Sequence, residues 1–130
     1  MRQLIHRWLQ VDLFFKIVAI LATLEVIYLS LKPPGPVTEY WTFLYFRQDI
    51  VLHFVCYFSL TAIYFATFFT HSQVLKKAFL ISLFVGFILE CFQLIPYFER
   101  TFDLTDLIAN LMGSSLGILI IRFFFSDSVK

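Results

Sequence analysis

Four long apolar runs constrain the fold of this chain more than any other feature of its sequence. A helix needs about 20 mostly apolar residues to cross the hydrocarbon core of a membrane, because it rises only about 1.5 Å per residue. The runs lie at about Leu13–Leu31, Ile50–Phe69, Ala78–Ile95 and Leu104–Phe125. They predict an all-α membrane protein, a bundle of four transmembrane helices that forms a single domain over residues 1–130.

The composition is also that of a membrane protein. Apolar residues make up 60% of the chain and charged residues only 15%, whereas soluble domains contain about 45–50% and about 25%. The formal net charge of +1 leaves no basic surplus to neutralise a phosphate backbone, so we expect no nucleic-acid binding. Cys56 and Cys91 lie inside apolar runs, which predicts packing residues rather than a disulfide or a thiolate metal site.

The connection between the first two runs predicts a short interfacial segment. Three prolines and a glycine in the stretch from Lys32 to Pro36 end the first helix. The stretch from Val37 to Arg47 is too short to cross a membrane, and its aromatic residues are typical of the headgroup region. The first run exceeds a typical signal-peptide core and lacks a small-x-small cleavage site, which favours a retained span.

The basic residues predict the orientation of the spans, because Lys and Arg are retained on the cytoplasmic side of short loops. Both termini and the loop from His71 to Lys77 are therefore expected in the cytoplasm. This arrangement puts most of the 10 basic residues inside, namely Arg2, Arg7, Lys16, Lys76, Lys77, Arg122 and Lys130. It leaves Lys32, Arg47 and Arg100 outside.

Under this topology the polar residues of the last three spans, together with Arg100 of the short outer loop, cluster at the outer membrane face. They are Asp49, His53, Glu90, Gln93, Arg100, Asp103, Asp106 and Asn110. An ionised carboxylate at mid-bilayer costs about 2.5–3.5 kcal/mol and less near the interface. We therefore expect Glu90 and Asp106 to face each other or water, with His53 beside them and a shared proton or a cation between them.

Glycines on the same helix faces predict close packing between spans. Gly113 and Gly117 form a GxxxG motif, and they continue the stripe, about 80° wide, that carries Asp103, Asp106 and Asn110. Gly86 likewise shares one face with Glu90 and Gln93, at i, i+4 and i+7. The three faces are expected to converge.

Each polar residue has a candidate role and a structural alternative. Glu90, His53 and Asp106 are the candidates for acid–base catalysis, and Asp49, Gln93, Arg100, Asp103 and Asn110 are the candidates for ligand binding. Asp103 could instead cap the fourth helix, with Asp106 completing a capping box. Arg100 could pair with these acids, and His53 could be a polar helix cap or an imidazole oriented by Asp49.

A metal site or cofactor is not expected from the spacing. His53, Glu90 and Asp106 offer an oxygen-rich ligand set. However, the outer cluster contains a single histidine, and the chain has neither an HExxH nor a CxxC motif.

These residues resemble the VanZ-like family of small bacterial membrane proteins. The resemblance rests on Asp49 with His53 and Tyr57, on Glu90-x-x-Gln93, and on the run R-x-x-D-x-x-D-x-x-x-N-x-x-G from Arg100 to Gly113. The family often has Lys where this chain has Ile50 and Gly where it has Glu99, so a cation next to Asp49 is absent. The resemblance implies a multi-pass protein of the bacterial cytoplasmic membrane, linked to resistance to the glycopeptide teicoplanin.

Two functions are compatible with this pattern. One is binding of a lipid-linked or amphipathic envelope ligand, such as a lipophilic glycopeptide, or of a membrane partner through the aromatic segment from Tyr40 to Phe46. The other is an enzyme that acts on a lipid headgroup or lipid-linked glycan, with Arg100 steadying an anionic group. Proton or ion movement through Glu25 and Glu90 is disfavoured, because the inner halves of the spans lack acids.

Overall fold

The described fold is helical apart from one short hairpin. The computed structural model describes residues 12–33, 42–43 and 46–125. In chain order the elements are α1 (Asp12–Leu31), β1 (Thr42–Phe43), β2 (Phe46–Arg47), α2 (Gln48–Thr67), α3 (Val74–Gln93), a 3-10 turn (Pro96–Phe98) and α4 (Leu104–Phe125). The helices alternate in direction, so α1 and α3 end where α2 and α4 begin.

The helix boundaries follow local sequence signals. α1 ends at Leu31, before Pro33, and α4 has the predicted bounds. α3 begins at Val74 rather than Ala78, since Lys76 and Lys77 extend its first turn. It ends at Gln93 because Ile95 precedes a proline and adopts an extended conformation.

The predicted interfacial segment contains a hairpin at its end. β1 and β2 pair in antiparallel fashion, with Thr42 opposite Arg47 and Phe43 opposite Phe46. The second strand leads directly into α2 and brings Arg47 to the start of that helix. Residues 37–41 and 44–45 of the segment lie outside the described residues.

Among the four helices that the described residues form, three are long and apolar enough to cross a membrane: Leu13–Leu31, Gln48–Thr67 and Leu104–Phe125. α3 also has 20 residues, but it contains three charged residues, Lys76, Lys77 and Glu90, which is more than any of these three stretches contains. Large apolar side chains remain exposed along the bundle, such as those of Phe84 and Phe123. Such a surface suits lipid rather than water, and the chain is a helical membrane protein.

α2 lies at the centre of the bundle and contacts α1, α3 and α4. Its closest approach is to α4, where a Cβ atom on Gly113 would lie 2.2 Å from the carbonyl oxygen of Phe54. At Gly117 the corresponding distance, to the carbonyl oxygen of Phe58, is 3.3 Å. The missing side chain of Gly113 therefore sets the separation between α2 and α4, and with it the spacing of their polar residues.

Candidate functional site

Polar contacts join the helices at one end of the bundle, which we call the polar end. It is the end at which α1 and α3 finish and α2 and α4 begin. Gln93 Nε2 donates a hydrogen bond to the carbonyl oxygen of Ser30 at 3.2 Å. Arg100 Nε donates to the carbonyl oxygen of Lys32 at 3.1 Å. These bonds hold the ends of α3 and of its following loop against α1.

His53 of α2 lies at the centre of the polar end, between side chains of α3 and α4. Its Nδ1 atom is 2.9 Å from Asn110 Oδ1, and its Nε2 atom is 3.6 Å from Asp106 Oδ2. Glu90 Oε1 lies 4.0 Å from His53 Nδ1. The three helices thus bring four of the sequence-predicted residues into one group, the His53 cluster, formed by His53, Glu90, Asp106 and Asn110.

The amide of Asn110 orients the imidazole ring. Because Asn110 Oδ1 can only accept, His53 Nδ1 is the donor of their hydrogen bond. In the neutral ring this leaves the lone pair of Nε2 directed toward the carboxylate of Asp106. Two acceptors that face each other in this way require a proton or a cation between them. Among the described residues Asp49 does not orient the ring, since Asn110 and Asp106 lie at its two nitrogens and Asp49 pairs with Arg47.

The carboxylates of the His53 cluster are removed from solvent. Glu90 is 1% exposed and Asp106 is 8% exposed. Charged groups in such surroundings persist only when they are compensated by partners. Within the described part of the chain, two buried polar atoms of the cluster have no hydrogen-bond partner, Asp106 Oδ1 and Asn110 Nδ2. The cluster therefore holds one unmatched acceptor and one unmatched donor.

Arg47 forms the charged rim of the site, and it was not among the site residues predicted from the sequence. Its guanidinium pairs with the carboxylate of Asp49 and lies 3.2 Å from Asp103 Oδ2. The hydrogen bond with Asp49 raises the pKa of Arg47. The expectation that no cation lies beside Asp49 was therefore wrong. The sequence signal that could have identified Arg47 is its position two residues before Asp49, at the predicted helix start.

Arg100 has a different role from the pairing considered for it. Within the described residues, it makes no ion pair with Asp103 or Asp106, and its guanidinium anchors the loop through Lys32 instead. Gly86 lies directly beside the cluster, since a Cβ atom there would be 3.0 Å from Asn110 Nδ2 and 2.9 Å from the ring of Tyr57. Any larger residue at this position would press on both side chains.

Asp103 caps the N-terminus of α4, as the structural alternative predicted. Its Oδ1 atom accepts hydrogen bonds from the backbone N–H of Thr105 at 2.8 Å and from its hydroxyl at 2.6 Å. In a capping box the N3 residue would accept the N–H of the cap. Here that acceptor is Glu90 of α3, whose Oε2 lies 3.4 Å from the Asp103 nitrogen. The prediction that Asp106, at N3, completes a capping box was therefore wrong. The candidate acid Glu90 thus also fixes the start of α4.

Replacement of Asp103 with alanine is expected to destabilise the protein by about 1 kcal/mol, because α4 loses its cap. Asparagine should retain most of the stability, since its amide oxygen can also accept from Thr105. The hydrogen bonds from Thr105 lower the pKa of Asp103. Its stabilising contribution is therefore complete above its unfolded pKa of about 3.9 and is lost as the pH falls through the lower folded value.

Unfolding of the two Asp103 variants in detergent, followed by circular dichroism from neutral to acidic pH, measures both effects. An alanine variant that is as stable as the parent at neutral pH would contradict the capping role.

The helices and the buried cluster define a small multi-span membrane protein with a polar site at one end of its bundle. The VanZ/LLP1 family model matches residues 5–125, and the chain belongs to this family. This result confirms the resemblance drawn from the motifs between Asp49 and Gly113. No curated protein and no solved structure matches the chain significantly.

Proposed function

We propose that this protein binds the polar headgroup of a lipid-linked or amphipathic envelope compound in the His53 cluster. The observation that carries the proposal is the pair of buried, unmatched atoms Asp106 Oδ1 and Asn110 Nδ2. Leaving such groups unpaired costs about 1–3 kcal/mol each. A ligand hydroxyl or amide both donates and accepts, so a single sugar or peptide group could satisfy both atoms.

The proposal includes a fourth span and an orientation in the membrane. Lys76 and Lys77 lie in the first turn of α3 and Glu90 near its end, so the helix between them is uncharged. Lysines at a helix end reach the interface with their long side chains. With these lysines and both termini in the cytoplasm, the polar end meets the outer leaflet of the bacterial cytoplasmic membrane. Lipid-linked envelope compounds could reach it there.

Binding is tested with the full-length protein in nanodiscs and two probes, the acylated glycopeptide teicoplanin and a lipid-linked cell-wall precursor. We expect Asn110→Leu to weaken binding of the true ligand class about 10-fold, because one hydrogen bond of about 1.4 kcal/mol is lost. Glu90→Gln should weaken it similarly. The matched control is Glu99→Gln, which removes an exposed carboxylate at the same end of the bundle but outside the cluster.

Binding that is unchanged in both cluster variants would contradict the proposal, as would an equal loss in the Glu99→Gln control. Growth inhibition by teicoplanin, with and without expression of the protein in a susceptible bacterium, tests the resistance role that the family resemblance implies.

A membrane enzyme is the second candidate, and the position of His53 favours it. An imidazole held by an amide on one side and facing a carboxylate on the other is suited to accept and return a proton. In that case His53→Ala and Glu90→Gln would leave a folded protein that no longer changes its lipid substrate. Mass spectrometry of lipids from expressing cells separates this function from binding alone, because only the enzyme alters a headgroup.

A further inference from the structure

The three ionisable side chains of the His53 cluster have the arrangement of a metal-ligand set. One nitrogen of His53 and one carboxylate oxygen from each of Glu90 and Asp106 lie within 4.8 Å of one another. Nitrogen and oxygen ligands lie about 2.0–2.2 Å from Zn²⁺, so two of them are separated by roughly 3–4.4 Å around one ion. The three atoms are therefore nearly close enough to surround one ion, and rotation of the Glu90 and Asp106 carboxylates toward His53 Nε2 would have to close the remaining gap.

We propose that His53, Glu90 and Asp106 bind a divalent transition-metal ion, with Zn²⁺ as the expected metal. The charge of the cluster supports this site. Two carboxylates with a neutral imidazole carry two negative charges, and an imidazolium would leave one uncompensated. A divalent ion makes the buried group neutral, which is the favourable state in a region of low dielectric.

The hydrogen bond of the imidazole ring supports the same ion. Metal-bound histidines almost always donate their other ring N–H to an oxygen, which fixes the ring and directs the free lone pair to the metal. His53 does this, since Nδ1 donates to Asn110 Oδ1 at 2.9 Å and Nε2 faces Asp106. Asn110 would then be a positioning residue for the metal ligand His53.

The unmatched atoms of the cluster provide an independent observation. Asp106 is 8% exposed, and its Oδ1 is an acceptor without a donor among the described residues. A metal ion is a partner for such an oxygen and needs no donor proton. Zinc sites with three protein ligands keep a position for water. The unmatched Nδ2 of Asn110 could donate to that water.

The ligand types favour zinc over magnesium. Imidazole suits Zn²⁺, whereas Mg²⁺ prefers oxygen ligands and keeps several of its own waters. The metal site goes beyond the proposed binding of an envelope compound, and it requires no lipid-borne ligand. Both proposals use the unmatched oxygen of Asp106, but the Zn²⁺ titration contains no envelope compound, so each test succeeds or fails by its own measurement.

The test is a Zn²⁺ titration of the full-length, tag-free protein in detergent after treatment with a chelator. The chain has three histidines, so His6→Gln and His71→Gln are introduced first to leave His53 as the single imidazole. Competition with a metal-sensing dye gives affinity and stoichiometry. Titration with Co²⁺ reports coordination through its visible absorption, and Mg²⁺ is the negative control.

We expect one equivalent of Zn²⁺ to bind, and His53→Gln or Asp106→Asn to weaken it more than 100-fold. Asn110→Ala should weaken Zn²⁺ binding about 10–100-fold and change the Co²⁺ spectrum, because the ring loses its orienting partner. The matched control Glu99→Gln should bind like the parent. Circular dichroism of each variant verifies the helical fold.

Failure of the parent protein to bind stoichiometric Zn²⁺ would overturn the metal site. Equal binding by the parent and by a folded His53→Gln variant would overturn it as well. If the His53 variant does not fold, a folded Asp106→Asn variant with undiminished affinity would overturn the site in its place.

Discussion

Replacement of Gly113 with alanine is expected to destabilise the bundle by about 3 kcal/mol, the upper end of the usual cost of overpacking. The added Cβ atom would lie 2.2 Å from the carbonyl oxygen of Phe54. This oxygen belongs to the backbone of α2, so no side-chain rotation can relieve the clash. The two helices must separate, even though alanine is the better helix former.

Gly117→Ala is the matched control, because it adds the same methyl group to the same helix face one turn further along. Its Cβ would lie 3.3 Å from the carbonyl oxygen of Phe58. A shift of a few tenths of an ångström accommodates this contact, and we expect a change below about 1 kcal/mol. Denaturation in mixed detergent micelles compares the two variants. Similar stabilities of Gly113→Ala and Gly117→Ala would contradict the close approach at Gly113.

Gly113→Ala should also impair the His53 cluster. α2 carries His53, and α4 carries Asp106 and Asn110, so separation of these helices lengthens the contacts between them. We therefore expect Gly113→Ala to weaken binding at the His53 cluster, although Gly113 belongs to no polar contact. Gly117→Ala should leave that binding unchanged.

Replacement of His53 with leucine is expected to cost about 3 kcal/mol of stability at neutral pH in the presence of a chelator. The substitution leaves the carboxylates of Glu90 and Asp106 buried without the imidazole between them. Removing one partner of a buried ionic group is strongly destabilising, because the remaining charges are no longer compensated. Leucine fills most of the space of the imidazole ring, so little packing is lost. The effect therefore measures the electrostatic part of the cluster together with the hydrogen bond from Nδ1 to Asn110.

A triple variant provides the control for the His53 prediction. Leucine at position 53 combined with Glu90→Gln and Asp106→Asn removes the charges together with the imidazole. We expect it to recover most of the lost stability, because replacing all members of a buried ionic group costs little. Denaturant unfolding of the parent, the single and the triple variant measures the difference. A single variant as stable as the parent would show that the carboxylates need no partner.

The sequence predicted much of the architecture because its strongest signals are local. Pro33 ends α1 wherever the helix lies, and the apolar run of α4 begins directly after its cap, Asp103. The start of α3, which has no such signal, was predicted less well, at Ala78 instead of Val74. There the lysines extend the helix by a turn because their charged ends can reach water while their stems stay apolar.

The sequence also predicted that polar residues from three helices lie together. Glu90 and Asp106 cannot face lipid without a large cost, and helical periodicity limits which residues share a face with them. These two constraints do not depend on how the helices are joined. The proposed roles of the individual residues stay predictions that the variants above test.

A helical membrane protein with a polar end can be predicted from the amino-acid order alone, because hydrophobicity and helical period act within each segment. The packing of the helices against one another selects which atoms meet. It places Asn110 rather than Asp49 at the His53 ring, and Arg47 rather than Arg100 at Asp103. These contacts depend on the register between the helices. That register is set by the close approach at Gly113 and by the path of the hairpin. A shift of one residue between α2 and α4 would rearrange them all without altering any local pattern.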